Sequence, residues 1–286
     1  MGPYDYARPA TLEEALRLKG SVAASRFIAG GTDLMVQIKN KIVQPPALIS
    51  LRSIPEITGI HVNDATRIGA TTLLTDLIEH EAIRERYPVL VAALRRMGSV
   101  QIRNVATLGG NLCNASPAAD SALPLLVLDA KLRLTSDKGS RDVPIADYFV
   151  GPGSTSLGAD EILTAILLEP PEPAARAVFL RQDRVHVDLA VVNVAVLLAM
   201  EADGTTCRTA RVAAGAVAPT PLRLREVESL LEGKKVTPAL LARAQQVARD
   251  AVAPITDVRA SADYRRQITG VFVRRAIEIL LGQRPA

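Results

Sequence analysis

Tryptophan is absent from this 286-residue sequence and aromatic residues make up only 3% of it, so any core must be built from aliphatic side chains. Cysteine is scarce. Cys113 and Cys207 are the only two, fewer than the four or so ligands an iron–sulfur cluster needs. His61, His80 and His186 are far apart, without the short spacings of a zinc site. A redox metal would therefore have to belong to another chain. Neither sign of charge dominates: 34 basic against 30 acidic residues leave +4, with no run of five or six like charges. A basic stripe with interleaved aromatics is missing, which argues against nucleic-acid binding. The longest mostly apolar stretch, 187–200, is interrupted by Asp188 and Asn193 and is too short to span a bilayer. Residues 1–5 lack the basic-then-apolar pattern of a secretory signal. The expectation is a cytoplasmic protein. Two nucleotide signatures are also lacking. No G-x-G-x-x-G occurs, and Gly153 and Gly158 have P-loop spacing but are followed by Ala159-Asp160.

What remains is an ordinary globular composition, 48% apolar and 22% charged, in a chain long enough for two or three domains. Three blocks separate. Residues 1–56 read as a βαβ-like unit: a helix over 11–18 capped by Thr11, a strand over 26–29, a helix over 32–41 and a strand over 47–51. Residues 57–173 open with strands at 58–62 and 66–70. Helices follow at 73–86 and 88–96, the second with Pro88 in its first turn and Gly98 at its stop. Strands are expected at 123–130, 131–134 and 161–168, and a proline-rich break at 169–173 ends the block. Residues 174–286 begin with strands at 177–180, 189–200 and 207–217. Helices then run from Pro238, behind Thr237, to about 252, and from about 261 to 281. In the last helix Tyr264, Ile268, Val271, Phe272, Ala276, Ile279 and Leu280 form one apolar face. These C-terminal helices either cover the sheet or offer a docking face.

The sharpest local feature is Phe27-Ile28-Ala29-Gly30-Gly31-Thr32-Asp33-Leu34, a strand running through a Gly-Gly turn into a helix. Glycines let a ligand approach the backbone closely, and a helix start offers unpaired N–H groups to an anion. The bland alternative is a bare turn with Thr32 as N-cap. Asp33 would oppose a phosphate, so backbone amides would have to hold it. The second feature is the stretch from Ala106 to Asp120, which gathers Thr107, Gly109, Gly110, Asn111, Asn114 and Ser116 between apolar segments. As a loop it suits an extended polar ligand, with Ser116-Pro117 starting another helix. As a plain turn it does nothing. Cys113 reads as a small buried filler.

Four segments in this order resemble the FAD-binding medium subunit of the molybdenum hydroxylases, the family of the xanthine and carbon monoxide dehydrogenases. They are Ala29-Gly30-Gly31-Thr32-Asp33-Leu34, then 106–111 with Ser116-Pro117 and Asp120, then Ala214-Gly215-Ala216-Val217-Ala218-Pro219-Thr220-Pro221, and finally 257–266. The resemblance implies an α+β chain: a two-domain FAD-binding fold of the vanillyl-alcohol-oxidase (PCMH) type, then a C-terminal α+β domain of antiparallel strands and helices. It implies FAD between the first two domains. Ile28, Ala29, Gly30, Gly31, Thr32, Asp33 and Leu34 would surround the diphosphate, and Thr107, Gly109, Gly110, Asn111 and Asn114 would meet it from the second loop. Asp120 would sit toward the adenosine end, Leu163 beside the cofactor, and Arg181 where relatives keep a lysine near the flavin. Met97 stands where some relatives have an aromatic, and His186 falls near the flavin, with a structural or interface role expected.

By the same resemblance the chain is an oxidoreductase subunit with no catalytic acid or base and no metal of its own. It would pass electrons from the [2Fe-2S] clusters of a small partner subunit through FAD to an external acceptor, a large molybdopterin-binding subunit having oxidised the substrate. The expected assembly is a dimer of heterotrimers. Two rivals remain: a stand-alone FAD oxidoreductase of the same fold, and a non-enzymatic nucleotide- or polyanion-binding protein suggested by the basic surplus.

Overall fold

The computed structural model of the chain describes residues 4–185 and 187–283; the expectation for His186 lies outside the described residues. The first unit comprises β1 (Asp5–Ala7), α1 (Leu12–Ser21), β2 (Arg26–Ile28), α2 (Leu34–Lys39) and β3 (Ala47–Ser50). Thr11 caps α1, its Oγ1 accepting from the Glu14 N–H at 3.2 Å, and the Glu14 carboxylate accepts in return from the Ala10 N–H at 2.9 Å. β3 lies between β1 and β2 and runs parallel to both. All four of its residues are buried, as expected of a parallel strand covered on both faces. β1 had no counterpart in the sequence reading; three residues carry too little pattern to declare a strand.

The second unit holds β4 (Ile60–Val62), β5 (Thr66–Gly69), α3 (Leu74–Glu79), α4 (Glu81–Arg86), α5 (Pro88–Leu94), α6 (Val100–Arg103), α7 (Leu108–Asn114), α8 (Ala122–Val127), β6 (Lys131–Ser136), β7 (Gly139–Pro144), β8 (Phe149–Gly151), β9 (Ser154–Thr155) and β10 (Ile162–Leu168). Five strands form an antiparallel sheet in the order β4-β5-β10-β6-β7. Several expectations need correction. The helix expected at 73–86 is two helices, broken where His80 turns extended. The strand expected at 123–130 is helix α8, all six residues buried; a run apolar on every side has no periodicity to tell strand from helix. The stretch at Gly109-Gly110-Asn111 is not a loop but part of α7, which Thr107 caps by accepting from the Gly110 N–H at 3.1 Å. Ser116-Pro117 makes a turn and starts no helix, since α8 begins only at Ala122.

The third unit comprises β11 (Ala175–Gln182), β12 (Val192–Met200), β13 (Cys207–Gly215), β14 (Leu222–Arg223), α9 (Arg225–Leu231), α10 (Pro238–Asp250) and α11 (Ala262–Leu280). The strands form an antiparallel sheet in chain order. Thr237 and Ser261 cap α10 and α11. Alternation along β12 divides its side chains between two cores. Val194, Val196 and Leu198 join the C-terminal helices, while Ala195 and Leu197 join the core of the second unit. α9 and α11 therefore cover one face of the sheet, with α10 packed on both of them, and α8 lies on the other side against β12 and β13. The buried face of α11 is rotated from the expected one. Phe272 and Ala276 are inside with Val273 and Ile277, whereas Tyr264 and Ile279 are exposed. Arg265 explains the rotation. Buried on the inner face, it donates to the carbonyls of Val191 and Ala216, both at 2.9 Å, and to Asp257 Oδ1 at 2.7 Å. No helix among the described residues is long and apolar enough to cross a membrane.

Candidate functional site

The chain leaves β2 at Ile28 and reaches α2 at Leu34 through two glycines with different tasks. Gly31 has φ +74°, a conformation other residues adopt only under strain. Gly30 has an ordinary φ but no room: a Cβ there would lie 2.0 Å from the Val105 carbonyl oxygen and 2.9 Å from Ala106 Cα. The loop thus lies backbone to backbone on the segment leading into α7. Thr32 is not the N-cap of α2. Asp33 holds that position and makes no side-chain capping bond. Among the described residues, nothing accepts from the backbone N–H groups of residues 29–34; the first amide of this stretch to be paired is that of Met35, on the Gly31 carbonyl at 3.0 Å. Six consecutive unpaired amides bordering a cleft are a phosphate-binding arrangement. The Asp33 side chain is exposed at the cleft, but the neighbouring walls still raise its carboxyl above the ordinary value.

The second segment works differently. Its amides are used inside the fold: Leu108 N–H donates to the Thr72 carbonyl, Gly109 N–H to Ala70, Gly110 N–H to Thr107 Oγ1 and Asn111 N–H to the Thr107 carbonyl. Gly109 is needed for close packing, because a Cβ would lie 2.6 Å from that of Ala70. Gly110 is exposed, and a Cβ there would meet only Thr107 Oγ1. What α7 presents to the cleft is a bare glycine surface and two side-chain amides. Asn111 Oδ1 accepts from Ser121 Oγ at 2.6 Å, and Asn114 Oδ1 accepts from Gln37 Nε2 at 3.4 Å. Cys113 is not a buried filler. It is exposed to the cleft, its Sγ 3.3 Å from the hydroxyl of fully buried Tyr148.

Charge gathers at one end. Asp120 is buried, and Arg181 Nε lies 3.1 Å from its Oδ1 with a side chain only 3% exposed. Asn193, on β12, donates from Nδ2 to the same Oδ1 at 2.7 Å. Arg181 also pairs with Asp183 and donates to the Asp188 carbonyl, and Arg96 reaches Asp183 at 2.7 Å. Burial pushes the Asp120 carboxyl up to about 6 against the opposing pull of Arg181, Asn193 and Arg96. Asp120 and Arg181 are in contact, so they cannot serve opposite ends of an extended ligand. Sequence reasoning missed Asn193 and Asp183, because nothing local ties β12 or the end of β11 to a turn more than sixty positions earlier, and it missed Arg96, which reaches the site only through Asp183.

One cleft of about 1100 Å³ brings all this together. Its walls include Ile28, Ala29, Gly30, Gly31, Thr32, Asp33 and Leu34 from the first loop. They also include Thr107, Gly109, Gly110, Asn111 and Asn114 from the second segment, together with Asp120, Leu163, Arg181 and Met97. Met97 is half-buried against the core, and its carbonyl and that of Gly98 each accept from Arg103 Nη1 at 2.9 Å. No group of three or more His, Cys, Asp or Glu suited to a metal occurs among the described residues. A cleft of this size, with open amides, bare glycine and a buried polar end, fits a long phosphate-bearing ligand.

Comparison with known proteins follows the same outline. Residues 2–171 match the family described as the FAD binding domain in molybdopterin dehydrogenase, and residues 177–280 match the CO dehydrogenase flavoprotein C-terminal domain. The xanthine dehydrogenase FAD-binding subunit of Escherichia coli O157:H7 is 33% identical over 276 residues, covering 95% of this chain and 94% of its own. The carbon monoxide dehydrogenase medium chain of Afipia carboxidovorans is 32% identical over 279 residues, covering 97% and 96%. Among solved structures, a chain of the Hydrogenophaga pseudoflava carbon monoxide dehydrogenase superposes with a TM-score of 0.95 at 29% identity, covering 98% of both chains.

Proposed function

The chain belongs to the FAD-binding subunits of the molybdopterin dehydrogenases, and on that premise we propose that it binds FAD in the cleft between its first two units and serves as the electron-transfer subunit of a molybdenum hydroxylase. The observation that carries the reading is the run of unpaired amides at residues 29–34 beside the bare surface of Gly110. In this reading the amides hold the diphosphate, with Gly30 and Gly31 keeping the loop low enough for close approach. Asn111 and Asn114 supply amide contacts from α7, with Thr107 holding the start of that helix at the cleft wall, and Leu163 gives an apolar wall. Asp120 and Arg181 act together at a single end, Arg181 holding the carboxylate in place and screening its charge. FAD held there would supply the redox chemistry that links the [2Fe-2S] clusters of a partner to an external acceptor. The chain supplies position, and no residue in it is assigned as an acid or base.

We assign residues 1–56 and 57–173 to the two halves of the cofactor site and 174–286 to the C-terminal domain. The partners are a large molybdopterin-binding subunit and a small [2Fe-2S] subunit, assembled as a dimer of heterotrimers in the cytoplasm. The test is a visible absorbance spectrum of the purified chain, alone and co-expressed with the two partners, with identification of the cofactor released on denaturation. Flavin bands and released FAD are expected. Protein that is colourless in both preparations and takes up no added FAD overturns the assignment.

A further inference from the structure

Asn193 belongs to the C-terminal sheet, yet its side chain works at the cleft. It is fully buried on β12, donates to Asp120 Oδ1 at 2.7 Å, and lies 3.5 Å from the Ala118 carbonyl. Its own Oδ1 is buried without a hydrogen-bond partner, a cost that packing alone would avoid by using an aliphatic side chain. Room for it is made on the neighbouring strand, where a Cβ on Gly215 would lie 2.4 Å from Asn193 Oδ1 and 3.2 Å from the Pro117 carbonyl. The adjoining Ala216 N–H donates to that carbonyl at 2.7 Å. Two strands of the C-terminal sheet therefore grip the 116–120 turn, and the one polar side chain they extend is aimed at the carboxylate in the cleft wall. We propose that Asn193 is a positioning residue for the cofactor site, fixing the orientation and ionisation of Asp120 from the C-terminal domain, with Gly215 as the space that permits it. This rests on the reading of the cleft as the FAD site.

Among the described residues, the charged groups facing Asp120 are few. Arg181 approaches from β11, with Asp183 behind it, and Arg96 comes from the segment after α5. Asn193 is the neutral donor that completes the set. Loss of its N–H removes a hydrogen bond to the charged form, so the Asp120 carboxyl must titrate at higher pH. FAD affinity measured against pH bends where Asp120 titrates, whichever form the cofactor prefers.

The test is the dissociation constant of FAD between pH 5 and 8.5, by flavin fluorescence, for the full chain with the subunits that co-purify with it. The wild type is expected to bend near pH 6. Asn193→Ala should move the bend upward by about one pH unit. Gly215→Ala, which leaves both hydrogen-bonding residues in place but displaces the asparagine, should move it the same way. Asp120→Asn should abolish it. Wild-type protein that binds no FAD refutes the cofactor assignment itself. FAD binding whose bend is absent, or stays within 0.2 unit of wild type in both variants (a threshold of roughly the reading error), refutes the role of Asn193 alone. A general loss of stability lowers affinity at every pH without moving the bend, so the readout separates positioning from folding.

Discussion

Replacing Gly30 by alanine isolates the contact that holds the first loop against the second unit. The new Cβ would lie 2.0 Å from the Val105 carbonyl oxygen, 2.8 Å from its carbon and 2.9 Å from Ala106 Cα. All three are backbone atoms and cannot swing away as a side chain could. Gly30 does not have a positive φ, so alanine is tolerated conformationally and even gains a few tenths of a kcal/mol from the unfolded state. The cost is therefore steric. Overpacking typically costs about 1–3 kcal/mol, and with backbone on both sides the upper half of that range applies. At about 2–4 °C per kcal/mol for a unit of this size, the midpoint of thermal unfolding should fall by about 5–10 °C. Gly110→Ala is the matched control. It sits in a helix, gains up to about 1 kcal/mol in helix propensity, and crowds only the Thr107 hydroxyl. Its stability should stay within about 1 kcal/mol of wild type, while FAD affinity falls, because the methyl group projects from an exposed cleft wall. Thermal unfolding and FAD titration on the two variants give opposite signatures. A Gly30→Ala protein as stable as wild type would refute the interlock, and a Gly110→Ala protein with unaltered FAD affinity would refute the part given to the bare surface of α7.

Two further outcomes are expected. Asp120 has its carboxyl raised from about 4 in the unfolded chain to about 6, so the native state binds the proton more tightly. Stability credited to this group is present below about pH 4, is lost as pH rises to about 6, and is flat above. Denaturation at pH 4 and pH 7 should show the gap between wild type and Asp120→Asn moving against the wild type by about 3 kcal/mol; a pH-independent gap contradicts it. Arg265→Met should destabilise the chain by about 3–5 kcal/mol in urea unfolding, since it strands two buried carbonyls and Asp257. Arg265→Lys should recover little, having no fork to reach all three; full recovery would show that charge alone matters.

Features decided locally were legible in the sequence. Thr11 and Thr237 cap the helices they precede, and the Gly-Gly turn after β2 carries the positive φ that glycine suggests. The residues expected around a cofactor do line a single cleft, although they come from segments more than a hundred positions apart. Features decided by surroundings were not legible. α8 is buried all round, so its sequence shows no face. α7 is helical despite two glycines because a threonine cap and close packing on Ala70 outweigh their poor propensity. β7 is mostly exposed and polar, and it becomes a strand only because β6 lies beside it. The ion pair of Asp120 with Arg181, and the asparagine that joins it, exist only once the C-terminal sheet has closed over the 116–120 turn.

The division of β12 between two cores has a bearing on how such a chain can be taken apart. The break at 169–173 invites separation there, and the first family match ends within it while the second begins beyond it. Yet Ala195, Leu197 and Ala213 complete the interior of the unit before the break. Cutting there would leave the amino-terminal fragment with an open wound of aliphatic side chains and its carboxylate at residue 120 without a partner. The proline-rich stretch is a seam in the covalent chain but not in the solid, and the two pieces should be obtainable in folded form only when they are made together.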